Sequence, residues 1–258
     1  MTAVVTPSTS NPSSAVTTPS PDYPFYNGLP SRISGAGWAA ILAGVAAGVA
    51  ADMYLSVGGP DWFSTLVRGL AFAAIPLITF VLVARPDWRA IFRPVGRREV
   101  KLWVGFAALN VVITTVIGGV LSQVTDLQAN PMNETLAQLS GGERVATFLS
   151  MIPQLFGEEL FTILVLLATM TLLSRVIRLS RRAAVIGGAL VATLAFAAIH
   201  LPTYGGNFLQ CLAVIGVARV VLLIPFIKTK NIWASTGAHV LNVWTLFAIG
   251  LATAAALI

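Results

Sequence analysis

Apolar residues come in long runs separated by short polar or basic stretches, and the runs have the length a helix needs to cross a bilayer. Seven such runs can be marked: Gly35 to Val57, Leu70 to Val83, Leu102 to Leu121, Val145 to Leu173, Ala183 to Leu201, Phe208 to Ile227 and Ile232 to Ile258. The first is built on Gly and Ala, and its Gly44-Val45-Ala46-Ala47-Gly48 spacing lets a second helix approach closely. The fourth would be about 43 Å long if straight, more than the roughly 30 Å of hydrocarbon, so it must tilt or bend, and Pro153 is the expected hinge. The pattern therefore predicts an all-α integral membrane protein, a polytopic bundle of about seven transmembrane helices.

Outside these runs the chain divides simply. Residues 1–33 are rich in Ser, Thr and Pro, and are expected to form a disordered tail on the cytoplasmic side, followed by a transmembrane domain over 34–258. The connection after the second run collects Arg89, Arg93, Arg97, Arg98 and Lys101 around Trp88, Ile91 and Phe92, as a basic surface segment would. Ser122 to Arg144 turns polar, with Asn130-Pro131 and Gly141-Gly142 as turn signals.

Composition agrees with this reading: 56% of the 258 residues are hydrophobic and 10% charged, against about a quarter charged in soluble domains. The net charge of +6 is no nucleic-acid footprint, because the basic residues sit in short connections next to apolar runs. Those connections all fall on one side of a seven-span arrangement. That side is expected to be cytoplasmic, which makes the chain a multi-pass cell-membrane protein with a cytoplasmic N-terminus. The single cysteine, Cys211, leaves neither a disulfide nor a thiolate metal site within one chain.

Against this background one dipeptide is costly. Glu158 and Glu159 stand in the middle of the fourth run, and an intramembrane acid is by default a functional-site hypothesis. On a helix they point about 100° apart, so one acts while the other supports it. The chain's two histidines, His200 and His239, also lie in or beside apolar runs. Phe196 shares a helical face with His200, and Asn242 shares one with His239. Arg219 lies deep in the sixth run and needs an anionic or carbonyl partner. An ion pair between it and the glutamates is the purely structural reading of these charges. Asn110 and Thr114, one turn apart in the third run, read as interhelical hydrogen-bond donors and acceptors. A carboxylate that deprotonates water, with imidazoles that polarise a carbonyl and bind its oxyanion, are the parts needed to hydrolyse a peptide bond. No His-Glu-x-x-His zinc motif and no Gly-x-Ser-x-Gly elbow is present.

Three segments carry a resemblance. Gly157-Glu158-Glu159-Leu160-Phe161-Thr162, Phe196-Ala197-Ala198-Ile199-His200-Leu201-Pro202 and Trp233-Ala234-Ser235-Thr236-Gly237-Ala238-His239-Val240-Leu241-Asn242 resemble, in order and spacing, the motifs of the CPBP family of metal-independent intramembrane glutamic proteases. That family includes the CAAX prenyl endopeptidases. The resemblance spans about residues 145–245, and the core of the fold it implies runs from about 145 to 258. It implies an endopeptidase with Glu158 as general base, Glu159 as its supporting neighbour, and His200 and His239 binding water or the oxyanion, with no metal and no cofactor. Asn242 joins the catalytic set, and Phe196 and Arg219 are expected at the substrate. The implied partners are a membrane-associated peptide or protein, prenylated or bacteriocin-like, and the lipid bilayer. Two positions depart from the family pattern. Ile163 stands where an arginine is usual, and Val243 where an Asn or Asp is usual, so Arg219 and Asn242 are the residues at hand to take over. From other classes, a non-catalytic scaffold or chaperone using the same polar cavity, and a proton-linked transporter, remain alternatives.

Overall fold

The structure, a computed structural model, describes residues 22–255. Among these residues seven helices are long and apolar enough to cross a membrane. In chain order the helices are α1 (Gly35–Tyr54), α2 (Asp61–Ala84), α3 (Arg97–Leu121), the short α4 (Pro131–Gln138), α5 (Gly141–Arg175), α6 (Arg181–Ile199), α7 (Phe208–Thr229) and α8 (Ile232–Ala255). A 3₁₀ turn over Arg85–Ile91 follows α2. The chain is thus a polytopic helical membrane protein.

Starts are fixed by side-chain caps that satisfy otherwise orphaned N–H groups. The Ser34 hydroxyl accepts from the Gly37 amide, Ser180 from Ala183, and Ser140 forms a capping box with Glu143. α5 is the centre of the bundle. It runs unbroken for 35 residues through Pro153, its extra length lying partly in the capped turn before Val145. Leu160, Ile163, Leu164, Leu166, Leu167 and Met170 are all fully buried on it. A helix that is apolar all round belongs inside a bundle. Here α1 and α2 cover one flank of α5, α6 another and α8 a third, while α7 packs against α6, α3 and α8, and α3 also covers α8.

Glycines set the closest approaches. A Cβ on Gly48 would stand 2.9 Å from the Phe72 carbonyl oxygen, and one on Gly69 only 2.7 Å from the Gln154 backbone nitrogen, so α2 lies against both α1 and α5 with no room for a side chain. After its first three residues α7 winds differently. Cys211–Gly216 form a π-helical segment, after which ordinary α geometry resumes at Val217.

Residues 22–33 depart from the expectation of a disordered tail, and 1–21 lie outside the described residues. Tyr23, Phe25, Tyr26 and Ile33 are buried. Phe25, fully enclosed, meets Trp38 and Phe80 edge-on. Arg175 donates to the carbonyls of Tyr26 and Phe25, and Asp22 accepts two bonds from Arg181. Three aromatics in four positions give this strap enough apolar area to offset its ordering entropy, which the Ser/Thr/Pro content alone would not.

The strap closes one end of the bundle. The α2–α3 connection joins it there: Phe92 packs on Trp233, which stacks on Phe156, and Asn231 bonds both the Arg93 amide and the Pro94 carbonyl. The opposite end carries the α3–α4 connection, α4 and the α6–α7 turn.

Candidate active site

Glu158 and Glu159 sit at the middle of α5, and the helix turn between them sends their carboxylates into different surroundings. Glu158, 6% exposed, lines a cavity of roughly 480 Å³ shared with His200, His239, Asn242 and Phe196. Its Oε1 accepts from Gln154 Nε2 at 3.3 Å, one turn back on the same helix. Glu159 is fully buried and turned toward α7 and α8.

There it meets Arg219. The guanidinium Nη1 donates to Glu159 Oε1, and the Arg219 side chain is itself enclosed. Its Cζ lies 3.9 Å from the centroid of the Phe196 ring, which adds a cation–π contact. Arg219 thus spends two of its five donor groups on protein partners, and its Nε has none. Ile163, where the resemblance expects an arginine, is fully buried in the apolar core. The cation arrives from a different helix.

His239 lies between the two glutamates. Its Nδ1 is 3.0 Å from Glu159 Oε1 and 3.0 Å from Arg219 Nη2, while Nε2 is 3.6 Å from Glu158 Oε2. Whichever tautomer is present, Nδ1 is engaged by the ion pair and the ring is oriented so that Nε2 faces Glu158. His200 is held differently. It caps α6, and its Nδ1 is 2.8 Å from the Phe196 carbonyl oxygen. A carbonyl only accepts, so Nδ1 carries the proton, and in the neutral ring Nε2 is left as an acceptor.

Asn242 lines the cavity one turn beyond His239. Its Oδ1 accepts from Asn110 Nδ2 at 3.1 Å, which leaves its own Nδ2 free to donate. Asn110 belongs to α3, and it too lines the cavity, while Thr114 donates to its backbone carbonyl. The interhelical bond expected of Asn110 therefore exists, and its partner is a candidate site residue.

Sequence reasoning missed three neighbours. Gln154 was unmarked, although it stands four residues before Glu158 on the same face. Asp52, half-buried in the last turn of α1, has a charge that acts on both Glu158 and His200, and Arg68 of α2 acts on Asp52 in turn. Tyr204, in the turn after His200, accepts from Asn130 Nδ2 at 3.3 Å at the edge of the cavity. Burial raises its phenol above the ordinary value and keeps it neutral. Among the described residues no group of three or more His, Cys, Asp or Glu side chains is arranged to hold a metal ion.

No curated protein and no solved structure matches the chain. The family comparison does find one match. Residues 141–245, the stretch holding both glutamates, both histidines, Arg219 and Asn242, match the family described as type II CAAX prenyl endopeptidase Rce1-like, a group within the CAAX proteases that the three motifs resemble.

Proposed function

We propose that the chain is an intramembrane endopeptidase that hydrolyses a peptide bond of a membrane-associated polypeptide with water activated by Glu158. One observation carries this reading: Glu158, His200, His239 and Asn242 line a single cavity, and the second carboxylate beside them is already compensated by Arg219. Two uncompensated carboxylates at this depth would resist ionising together. Pairing Glu159 with Arg219 removes that conflict and leaves Glu158 to handle protons.

In this mechanism the Glu158 carboxylate takes a proton from a water molecule, and the water oxygen bonds to the scissile carbonyl carbon. The oxyanion formed accepts a hydrogen bond from Asn242 Nδ2. His200, through Nε2, holds the water before attack, and His239 keeps Glu158 and Glu159 at fixed distance. The carbon–nitrogen bond then breaks as Glu158 returns the proton to the leaving nitrogen, giving a carboxylic acid and an amine. No covalent enzyme intermediate is needed. Phe196 closes the cavity behind the guanidinium and supplies an apolar wall for the substrate.

The orientation belongs to the same proposal. Thirteen of the sixteen Lys and Arg residues lie at the strap end of the bundle, in the segments around α1's start and the α2–α3, α5–α6 and α7–α8 connections. That asymmetry supports a cytoplasmic N-terminus in the cell membrane. The scaffold alternative rested on the arginine missing at Ile163, and Arg219 supplies that charge from α7.

The test is a membrane peptidomics comparison of cells carrying wild type and Glu158→Gln. Peptides present only with wild type are expected; identical profiles at equal protein abundance would remove the assignment.

A further inference from the structure

The cavity has a side. Its lining includes Asn130, Met132 and Asn133 around the start of α4 and Thr203 and Tyr204 in the α6–α7 turn. Both segments lie at the end of the bundle opposite the strap. His200 stands at that same end, one residue beyond α6. At the other end the route to Glu158 is filled by the strap, by the Phe92–Trp233–Phe156 cluster and by the fully buried Phe226 and Ile232.

The charges at the two ends are opposite. At the mouth end Asp61, Asp126, Glu134 and Glu143 are exposed and Asp52 is half-buried, against two basic residues, Arg68 and Arg144. Arg144 is occupied, donating to the carbonyls of Leu136 and Ala137. The strap end holds nearly all the positive charge.

From these two asymmetries we infer that the substrate reaches Glu158 from the non-cytoplasmic side, as a polypeptide segment exposed on the outer face of the membrane, with basic residues near the scissile bond. The inference rests on the hydrolytic reading of the site. A cytosolic chain terminus would meet the closed, basic end of the bundle, where a positively charged surface faces anionic headgroups. The outer mouth is polar, net acidic and continuous with the catalytic cavity, so a cationic flanking sequence is drawn toward it and an acidic one repelled.

Two measurements separate this inference from the reading beneath it. In a Cys211→Ser background, full-length protein carrying Asn133→Cys is exposed to a membrane-impermeant maleimide in intact spheroplasts, with Arg178→Cys as the opposite-end control. Asn133→Cys is expected to label at least tenfold faster before lysis than Arg178→Cys, which should react only after permeabilisation. The reverse order overturns the inference. Thr203→Cys serves the same purpose where Asn133→Cys accumulates poorly. The second measurement maps the peptides lost with Glu158→Gln. Outer-facing sequences with Lys or Arg flanking the cut support the inference, and cytoplasmic-facing sequences overturn it while leaving the peptidase reading intact. An absence of lost peptides overturns the peptidase reading, and the maleimide result still decides which way the cavity opens.

Discussion

Arg219 on α7 donates to Glu159 on α5, sixty residues earlier in the chain, in an interior where neither side chain has more than 1% of its surface exposed. Breaking a buried pair by removing one partner costs about 3–5 kcal/mol, because the charge left behind has no compensation. Arg219→Met is therefore expected to lower the unfolding temperature in detergent sharply. Adding Glu159→Gln should restore most of that loss without restoring cleavage. A double variant no more stable than Arg219→Met alone would show that the pairing is not what Arg219 contributes.

Asn110 acts through Asn242. Its Nδ2 occupies Asn242 Oδ1, which leaves the amide hydrogens of this cavity-lining partner free to donate. Losing one orienting hydrogen bond is worth about 1.4 kcal/mol at most, a rate effect of about tenfold. Asn110→Leu should lower kcat by about that factor with little change in KM. Asn242→Ala, which removes the oxyanion donor itself, should cost about a hundredfold or more. An Asn110→Leu variant with the wild-type rate beside an impaired Asn242→Ala would rule out the positioning role.

Docking of the N-terminal strap should depend on pH at both extremes. Burial alone would raise the Asp22 carboxyl, but bonds from Arg181, Tyr26 and the Tyr23 amide outweigh it and hold it below 3.8. A depressed carboxyl contributes stability that is present above its unfolded value and lost as pH falls through the folded one. Tyr23 moves the other way: burial pushes its phenol up to about 12 from 10.0. Its contribution is full below 10.0 and lost as pH rises toward 12. Hydrogen exchange at residues 23–30 should be slow at neutral pH and become faster as pH falls below 3.8 or rises from 10.0 toward 12, relative to α5 amides. Uniform protection across that range would contradict the assignment.

Gly69 faces the backbone of Gln154, whose side chain binds Glu158. The Cβ of Gly69→Ala would stand 2.7 Å from a backbone nitrogen that no rotamer change can move. Overpacking of this kind costs about 1–3 kcal/mol, and here it should also reduce cleavage by shifting Gln154. Gly105→Ala, where the added methyl meets nothing within 4 Å, is the control and should leave both unchanged. Equal behaviour of the two variants would mean that α2 can yield.

The parts of this fold visible in the sequence are those set by the bilayer. Hydrocarbon thickness demands long apolar runs, so hydropathy marks all seven crossings, and only their ends differ, as at α2, which starts at Asp61 where the apolar run was placed from Leu70. The glutamate pair was equally visible because its burial is expensive. Which glutamate faces the cavity was not, since a 100° difference on one helix acquires direction only from the neighbours around it. Asn110 illustrates the same limit. A polar residue in a span announces that it has a partner, and only packing says that the partner is Asn242. In the strap, Tyr23, Phe25 and Tyr26 were the available signal, hidden by the prolines and serines around them.

The π-helical segment Cys211–Gly216 lies just before Arg219. Each residue in a helix turns the chain by about 100°, so a wide turn resets the angular phase of everything after it. Arg219 reaches Glu159 because α7 has that phase. Deleting one residue between Asn207 and Gly216 would keep the helix and its hydropathy yet swing the guanidinium away from Glu159. The site is in this sense keyed to chain length, and related sequences should tolerate many substitutions in this stretch of α7 but no insertion or deletion.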